Sequence, residues 1–219
     1  MTRKQQWDGS GGIDTLTWGY AEDFVEPSDD LRAAAQQGSD LGVTPLSNGV
    51  TTALTFLARA IQARHVVQVG TGSGAAGLAL FAGMAADGVI TSIDPEGDRQ
   101  SAARQAFIGA KIATNRFRLI AGVPLEVLPK LRDGAYDLVF VDGDKLEYVE
   151  YLAQALRLLR HGGVVVINDA LWRGLVADSS NEDDETVIIR EALASVLETE
   201  EFTPVLLPVG GGLLAAVKA

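Results

Sequence analysis

The chain has no cysteine and only two histidines among its 219 residues. Disulfide bonds and metal sites built from thiolates are therefore excluded. Basic residues are also scarce. The 18 lysines and arginines face 29 acidic residues, a formal net charge of -11, which argues against non-specific binding to nucleic acid. No apolar run is long enough to span a bilayer, and the N-terminus lacks the apolar core of a signal peptide. We therefore expect a cytoplasmic protein that acts without nucleic-acid or membrane partners.

What the chain does have is a regular alternation of short apolar segments and helical patterns from Val66 onward. Predicted strands occupy 66–69, 89–94, 117–122, 137–142, 163–169, 203–208 and 213–218. Predicted helices occupy 75–86, 96–114, 124–131, 146–160 and 184–198. Strands that are apolar throughout indicate a parallel sheet covered on both faces. The last two strands lack an intervening helix and must form a hairpin. The pattern predicts an α/β fold with a doubly wound, mostly parallel, seven-stranded sheet that contains one antiparallel strand.

The segment before the first strand is expected to add helices to this sheet. Residues 1–12 are polar and glycine-rich, so we expect them to be poorly ordered. Residues 13–62 are predicted to be helical, with a break at Pro27 and a new helix capped by Ser47. No repeat or second domain is evident, so 13–219 is predicted to be one domain.

A glycine-rich loop, GTGSGAAG at 70–77, follows the first strand and opens a helix. Such a loop lets a ligand approach the main chain at the carboxyl ends of the strands. The spacing fits two cofactor classes equally well, because Gly72, Gly74 and Gly77 match a dinucleotide fingerprint and Gly70, Gly72 and Gly74 match a loop for S-adenosylmethionine. Both classes predict an acid at the end of the second strand that accepts the ribose hydroxyls, and Asp94 is there.

Features further along the chain favour the methyl donor. A nicotinamide oxidoreductase commonly uses Tyr-x-x-x-Lys or a histidine for hydride transfer. The Tyr-x-x-x-Lys motif is absent, and both histidines lie where structural roles are expected. The terminal strand hairpin also fits methyltransferases better, although an oxidoreductase stays open as an alternative.

Five motifs, in order, resemble those of the cation-dependent O-methyltransferases, the group that includes catechol and caffeoyl-coenzyme A O-methyltransferases. They are VQVGTGSG (67–74), TSID (91–94), AGVPLEVLPKL (121–131), FVDGDK (140–145) and GGVVVINDALWRG (162–174). The resemblance covers about 40–219 and is strongest to bacterial members. It implies a Rossmann-like class I methyltransferase fold, a homodimer, and methyl transfer from S-adenosylmethionine to a small-molecule hydroxyl, such as a phenol or catechol.

The resemblance also implies roles for individual residues. A divalent cation, Mg²⁺ by preference, would be bound by Asp142, Asn168 and Asp169. Lys145 would be the general base, and Asp142 would contact both the cation and the acceptor. The cofactor would be bound by Val43, Thr44, Gln68, Gly70, Thr71, Gly72, Gly74, Ala76, Asp94, Pro95, Gly122, Val123 and Asp142.

Two positions depart from the family pattern. Gln68 stands where the family usually has Glu or Asp. The family's second metal segment usually runs Asp-Asn, whereas this chain has Asn168-Asp169, and adjacent residues at a strand end point in different directions. These departures motivate a second hypothesis, a cofactor-binding protein that has lost turnover.

Overall fold

The computed structural model describes residues 14–219, so the prediction for residues 1–12 lies outside the described part. Three helices come first: α1 (Thr15–Glu22), α2 (Asp29–Asp40) and α3 (Asn48–Ala60). The side chains of Asp14, Ser28 and Ser47 cap them by accepting from main-chain N–H groups three residues on. The predicted break at Pro27 and the predicted cap at Ser47 are confirmed.

A seven-stranded sheet forms the centre of the molecule. Its strands are β1 (His65–Val69), β2 (Val89–Asp94), β3 (Phe117–Ala121), β4 (Tyr136–Val141), β5 (Leu159–Ile167), β6 (Phe202–Leu207) and β7 (Leu213–Lys218). The spatial order is β3-β2-β1-β4-β5-β7-β6, and only β7 runs antiparallel to its neighbours. The predicted sheet, including its single antiparallel strand, is confirmed.

Helices cover both faces of the sheet, as the apolar strands require. The later helices are α4 (Ala75–Gly83), α5 (Gly97–Gly109), α6 (Pro124–Val127), α7 (Tyr148–Leu158) and α8 (Asp184–Glu198). Successive strand residues point to opposite faces. Val66 therefore packs in the cluster beneath α3, α4 and α5, and Val67 packs in the cluster beneath α7 and α8. This two-sided burial fixes the register of each strand.

Several predicted boundaries were wrong by a few residues. Helix α7 ends at Leu158 because Leu159 and Arg160 already belong to β5, and Lys145–Glu147 form a separate 3-10 turn before it. Strand β5 ends at Ile167. Two of the three predicted cation ligands, Asn168 and Asp169, therefore lie just past the strand. Helix α5 ends at Gly109, five residues before the prediction.

The strand register brings three chain segments to one level. Val69 of β1 pairs with Val141 of β4, which pairs with Ile167 of β5. The segments that start at 70, 142 and 168 therefore begin side by side at the carboxyl edge of the sheet.

Along residues 14–219, no helix is both long enough and apolar enough to cross a membrane.

Candidate active site

The glycine loop adopts a backbone that requires glycine at three positions. Gly70, Gly72 and Gly74 have φ values of +85°, +51° and +94°, in the left-handed region that other residues rarely adopt. A Cβ on Gly70 would overlap the main-chain carbonyl oxygen of Asp142. Gly70 thus lets the loop pass directly against the end of β4.

Asp94 holds this loop from beneath. Its Oδ2 accepts from the main-chain N–H groups of Thr71 (2.9 Å) and Gly72 (3.1 Å), and its Oδ1 accepts from that of Glu96 (2.9 Å). The side chain is 2% exposed. An ionised carboxylate offers about four acceptor positions, so about one remains for a ligand hydroxyl. The carboxylate predicted to bind ribose therefore organises the loop first.

Further polar side chains support the same loop, and two of them, Ser92 and Gln100, were not singled out by the sequence. The Thr71 hydroxyl lies 2.7 Å from the Ser92 hydroxyl, and Gln100 Nε2 donates to Thr71 Oγ1 over 3.0 Å. Gln68 is fully buried, and its Nε2 donates to the Gly70 carbonyl over 2.9 Å. Gln68 therefore acts on the loop's main chain from below, and its burial supports a positioning role, not direct contact with a cofactor.

Two adjoining cavities open at the carboxyl edge of the sheet. The first, which we name the loop cavity, has a volume of about 420 Å³. Its lining includes Gly70, Gly72, Asp94, Pro95, Val123 and Tyr151. The second, the tryptophan cavity, has about 560 Å³ and is lined by Trp18, Trp172, Lys145 and their neighbours. Both volumes suit small organic ligands. Val43, Arg99 and Asp142 line both cavities, so the two spaces meet at these side chains.

A cluster of charged side chains stands at this boundary. Lys145 Nζ lies 3.4 Å from Asp142 Oδ1 and 3.1 Å from Asp169 Oδ2. Asn168 Nδ2 donates to Asp142 Oδ1 over 3.0 Å. Asp142, Asn168 and Asp169 therefore lie together, because β4 and β5 are neighbours, and Lys145 joins them.

A buried tyrosine at the start of α7 supports the cluster. The Tyr148 hydroxyl donates to the main-chain carbonyl of Asn168 over 2.9 Å. Burial, with the negative charges of Asp142 and Asp169, raises the pKa of this phenol well above its ordinary value. Tyr148 therefore stays neutral and serves as a fixed donor that positions Asn168.

The tryptophan cavity is closed by parts of the chain that are distant in sequence. Trp18 of α1 donates through Nε1 to the carbonyl of Pro208, over 3.2 Å. Glu22 accepts from the main-chain N–H groups of Gly49 (2.9 Å) and Gly210 (2.6 Å). On the other side, Trp172 and Arg173 adopt positive φ and project from the turn after β5. Helix α1 and the β6–β7 turn thus complete the cavity wall.

Comparisons with known proteins identify the family. A family model described as O-methyltransferase matches residues 28–219. A protein of Mycobacterium sp. (strain JLS) named as an O-methyltransferase is 42% identical over 199 residues, which is 91% of this chain and 90% of that protein. The chain belongs to the O-methyltransferase family.

Solved structures of O-methyltransferases show the same fold. The O-methyltransferase TomG of Streptomyces achromogenes, solved in complex with SAM, is 26% identical and has a TM-score of 0.84. The match covers 94% of this chain and 97% of TomG. Membership in the family decides between the two cofactor classes that the glycine loop alone left open, and the protein is an O-methyltransferase, not an oxidoreductase.

The site residues predicted for this O-methyltransferase fall into four groups. Six line the tryptophan cavity, and the first two of them also line the loop cavity: Val43, Asp142, Thr44, Lys145, Asn168 and Asp169. Five line the outer part of the loop cavity: Gly70, Gly72, Asp94, Pro95 and Val123. Thr71 and Ala76 line a small crevice of about 30 Å³ behind the loop. Gln68, Gly74 and Gly122 line neither of the two large cavities, and Gly74 instead packs closely on Ala103 and Phe107.

Proposed function

We propose that this O-methyltransferase transfers the methyl group of S-adenosylmethionine to a hydroxyl of a small phenolic or catecholic acceptor. The observation that carries the proposal is the meeting of two ligand-sized cavities at Asp142. One is built on the glycine loop, and the other is lined by Lys145 and two tryptophans. The SAM complex of TomG, which has the same fold, supports the cofactor assignment.

The loop cavity suits the donor. Gly70 and Gly72 expose main chain to it, and Val123 and Pro124 provide an apolar wall for a flat base. The remaining acceptor position of Asp94 suits one ribose hydroxyl. Val43 and Asp142, at the boundary, would border the sulfonium and its methyl group. Thr71, Gln68 and Gly74 would act by shaping the loop.

The tryptophan cavity suits a flat acceptor whose hydroxyl faces the charged cluster. In the reaction, a lone pair of the acceptor oxygen attacks the methyl carbon in line with the departing sulfur. The carbon–sulfur bond breaks, its electron pair stays on sulfur, and S-adenosylhomocysteine is the product. We propose that the Lys145 ammonium gives up a proton to solvent and then takes the hydroxyl proton, since its Nζ lies 3.4 Å from Asp142, which lines both cavities. Asp142 would orient the acceptor.

The residues at the boundary fit a divalent cation. Asp142, Asn168 and Asp169 offer two carboxylates and an amide oxygen, the hard ligands that Mg²⁺ prefers. The buried Oδ1 of Asn168 has no hydrogen-bond partner among the described residues, which leaves that amide able to turn its oxygen toward Asp142. A cation held there would lower the pKa of the acceptor hydroxyl, as it does for bound water.

A homodimer in the cytoplasm remains the expectation from the sequence. Helix α1 supports self-association because none of its residues is buried. Leu16, Tyr20 and Phe24 expose 84%, 71% and 72% of their surface, a concentration of apolar side chains that a second copy would cover. Sedimentation equilibrium of the wild-type protein tests this, and a monomer at micromolar concentration would contradict it.

The function is tested by calorimetric titration with S-adenosylhomocysteine, followed by product detection with S-adenosylmethionine and a panel of catechols and phenols, each with and without Mg²⁺. We expect micromolar binding and methylation of at least one hydroxylated aromatic. Absence of cofactor binding would refute the proposal. Binding without transfer to any acceptor would favour the alternative of a cofactor-binding protein without turnover.

A further inference from the structure

We propose that the Lys145 ammonium competes with the divalent cation for Asp142 and Asp169. Because the chain has the order Asn168-Asp169, the carboxylate of Asp169 is available to Lys145 in addition to that of Asp142. The inference rests on the cation site described above and concerns how the chain's own charges limit its occupancy.

The Lys145 ammonium is surrounded by groups that attract its positive charge. Its Nζ contacts Asp142 Oδ1 at 3.4 Å, Asp169 Oδ2 at 3.1 Å and the Gly143 carbonyl at 3.5 Å, which matches the three donors of an ammonium group. The rings of Tyr148 and Trp172 have their centroids 5.2 and 5.8 Å from Nζ, within reach of a cation–π interaction. The side chain is 13% exposed, so solvent screens these attractions only partly.

Asp169 is held firmly in its position. Its backbone has a φ of +55°, and a Cβ on Gly211 would overlap its Oδ1. The neighbouring main chain is tied to the β6–β7 turn by bonds from Ala170 to Gly212 and from Leu171 to Gly211, both 2.9 Å. The carboxylate therefore stays near Nζ, whereas an asparagine at 169 in this chain would leave Lys145 with Asp142 as its one carboxylate contact.

The ammonium and a divalent cation need the same oxygens. Two carboxylates and one ammonium leave one net negative charge for an incoming cation, which must displace Nζ from both carboxylates to gain them as ligands. Removing the ammonium leaves both negative charges available to the divalent cation, and it removes none of the proposed ligands. The cation affinity of the wild-type protein is therefore set partly by Lys145.

The test is a titration of Mn²⁺, followed by the electron paramagnetic resonance signal of the free ion, into the protein saturated with S-adenosylhomocysteine. Lys145→Met keeps most of the length of the side chain without its charge. We expect it to bind Mn²⁺ at least tenfold more tightly than wild type, about 1.4 kcal/mol. Lys145→Arg, which keeps the charge, and Lys130→Met, which removes an exposed charge elsewhere, should show no such gain.

A second variant isolates the contribution of Asp169. In an Asp169→Asn background, the gain from Lys145→Met should be clearly smaller, because the ammonium then competes for one carboxylate only. An unchanged or weaker Mn²⁺ affinity in Lys145→Met would overturn the proposal, as would an equal gain in both backgrounds. No Mn²⁺ binding by either protein at millimolar concentration would also overturn it. Binding of S-adenosylhomocysteine, measured in every variant, reports separately on the proposed methyltransferase function.

Discussion

Asp94 is the residue whose substitution best separates support of the loop from contact with the cofactor. Its carboxylate accepts three main-chain N–H groups in the protein without ligand. In Asp94→Asn, the single amide oxygen can serve either the loop or Glu96, but not both, and the NH₂ group then faces the other donor. We therefore expect the variant to be less stable before any cofactor binds.

The magnitude follows from the bonds that change. A hydrogen bond to a charged group is worth about 1.5–3 kcal/mol and a neutral one about 0.5–1.5 kcal/mol. Two weakened bonds to the loop therefore cost about 1 kcal/mol each. A donor left without an acceptor costs a further 1–3 kcal/mol or so. The sum predicts that the free energy of unfolding falls by about 3–5 kcal/mol.

The assay is urea unfolding of the ligand-free protein, paired with calorimetric titration of S-adenosylhomocysteine. Asp98→Asn is the matched control because Asp98 is exposed, lies on the first turn of α5, and carries the same charge. It should shift stability by less than about 1 kcal/mol. If Asp94→Asn unfolds like wild type yet loses cofactor affinity, Asp94 acts on the ribose and not on the loop, and the reasoning is refuted.

Three further substitutions test other contacts by urea unfolding. Gly70→Ala should cost more than about 2 kcal/mol because the residue has positive φ and its Cβ would overlap the Asp142 carbonyl. Gly97→Ala is the control, because its Cβ meets no atom within 4 Å, and it should not destabilise the protein. Equal losses of stability in Gly70→Ala and Gly97→Ala would contradict this reasoning. Tyr148→Phe leaves a buried carbonyl past β5 without its donor and should cost about 1–2 kcal/mol. Burial acts to raise the pKa of Asp137, but hydrogen bonds from two main-chain N–H groups and a guanidinium outweigh it and hold the pKa below 3.8. Asp137→Asn should thus cost about 2 kcal/mol at pH 7, and this gap should narrow as the pH falls below about 4, where the stabilisation by the carboxylate is lost. If the stability difference between Asp137→Asn and wild type does not change with pH, the lowered pKa of Asp137 is contradicted.

Much of the fold followed from the sequence because burial on two faces leaves a clear pattern. Strands that are largely apolar, such as VVQV and DLVFVD, indicated a covered parallel sheet, and the missing helix before the last strand indicated the hairpin. Helix and strand boundaries were less accurate. Leu159 and Arg160 continue a helical pattern in sequence, yet the pairing of Leu159 with Tyr136 of β4 draws this segment into β5, a tertiary effect that periodicity does not record.

The site was predictable where it depends on strand ends and was not where it depends on side-chain direction. Asp142, Asn168 and Asp169 converge because β4 and β5 are neighbours, which the order of elements suggested. The burial of Gln68 beneath the loop and the use of Asp94 by loop amides depend on which way each side chain turns. The joining of Trp18 to Pro208, across 190 positions, has no local signal at all.

Asp142 is the point on which the site's functions depend, and for that reason its removal is the least informative change. Its main-chain N–H donates to the Val69 carbonyl over 2.9 Å, its carbonyl abuts Gly70, and its side chain contacts Asn168 and Lys145. Loss of activity in an Asp142 variant would follow equally from a displaced loop, an unpaired ammonium, a missing cation ligand or a misplaced acceptor. Asp169, one-third exposed and lining only the tryptophan cavity among the two, shares the ammonium without touching the loop. Substituting Asp169 therefore separates the charge balance of the boundary from the geometry of the donor cavity.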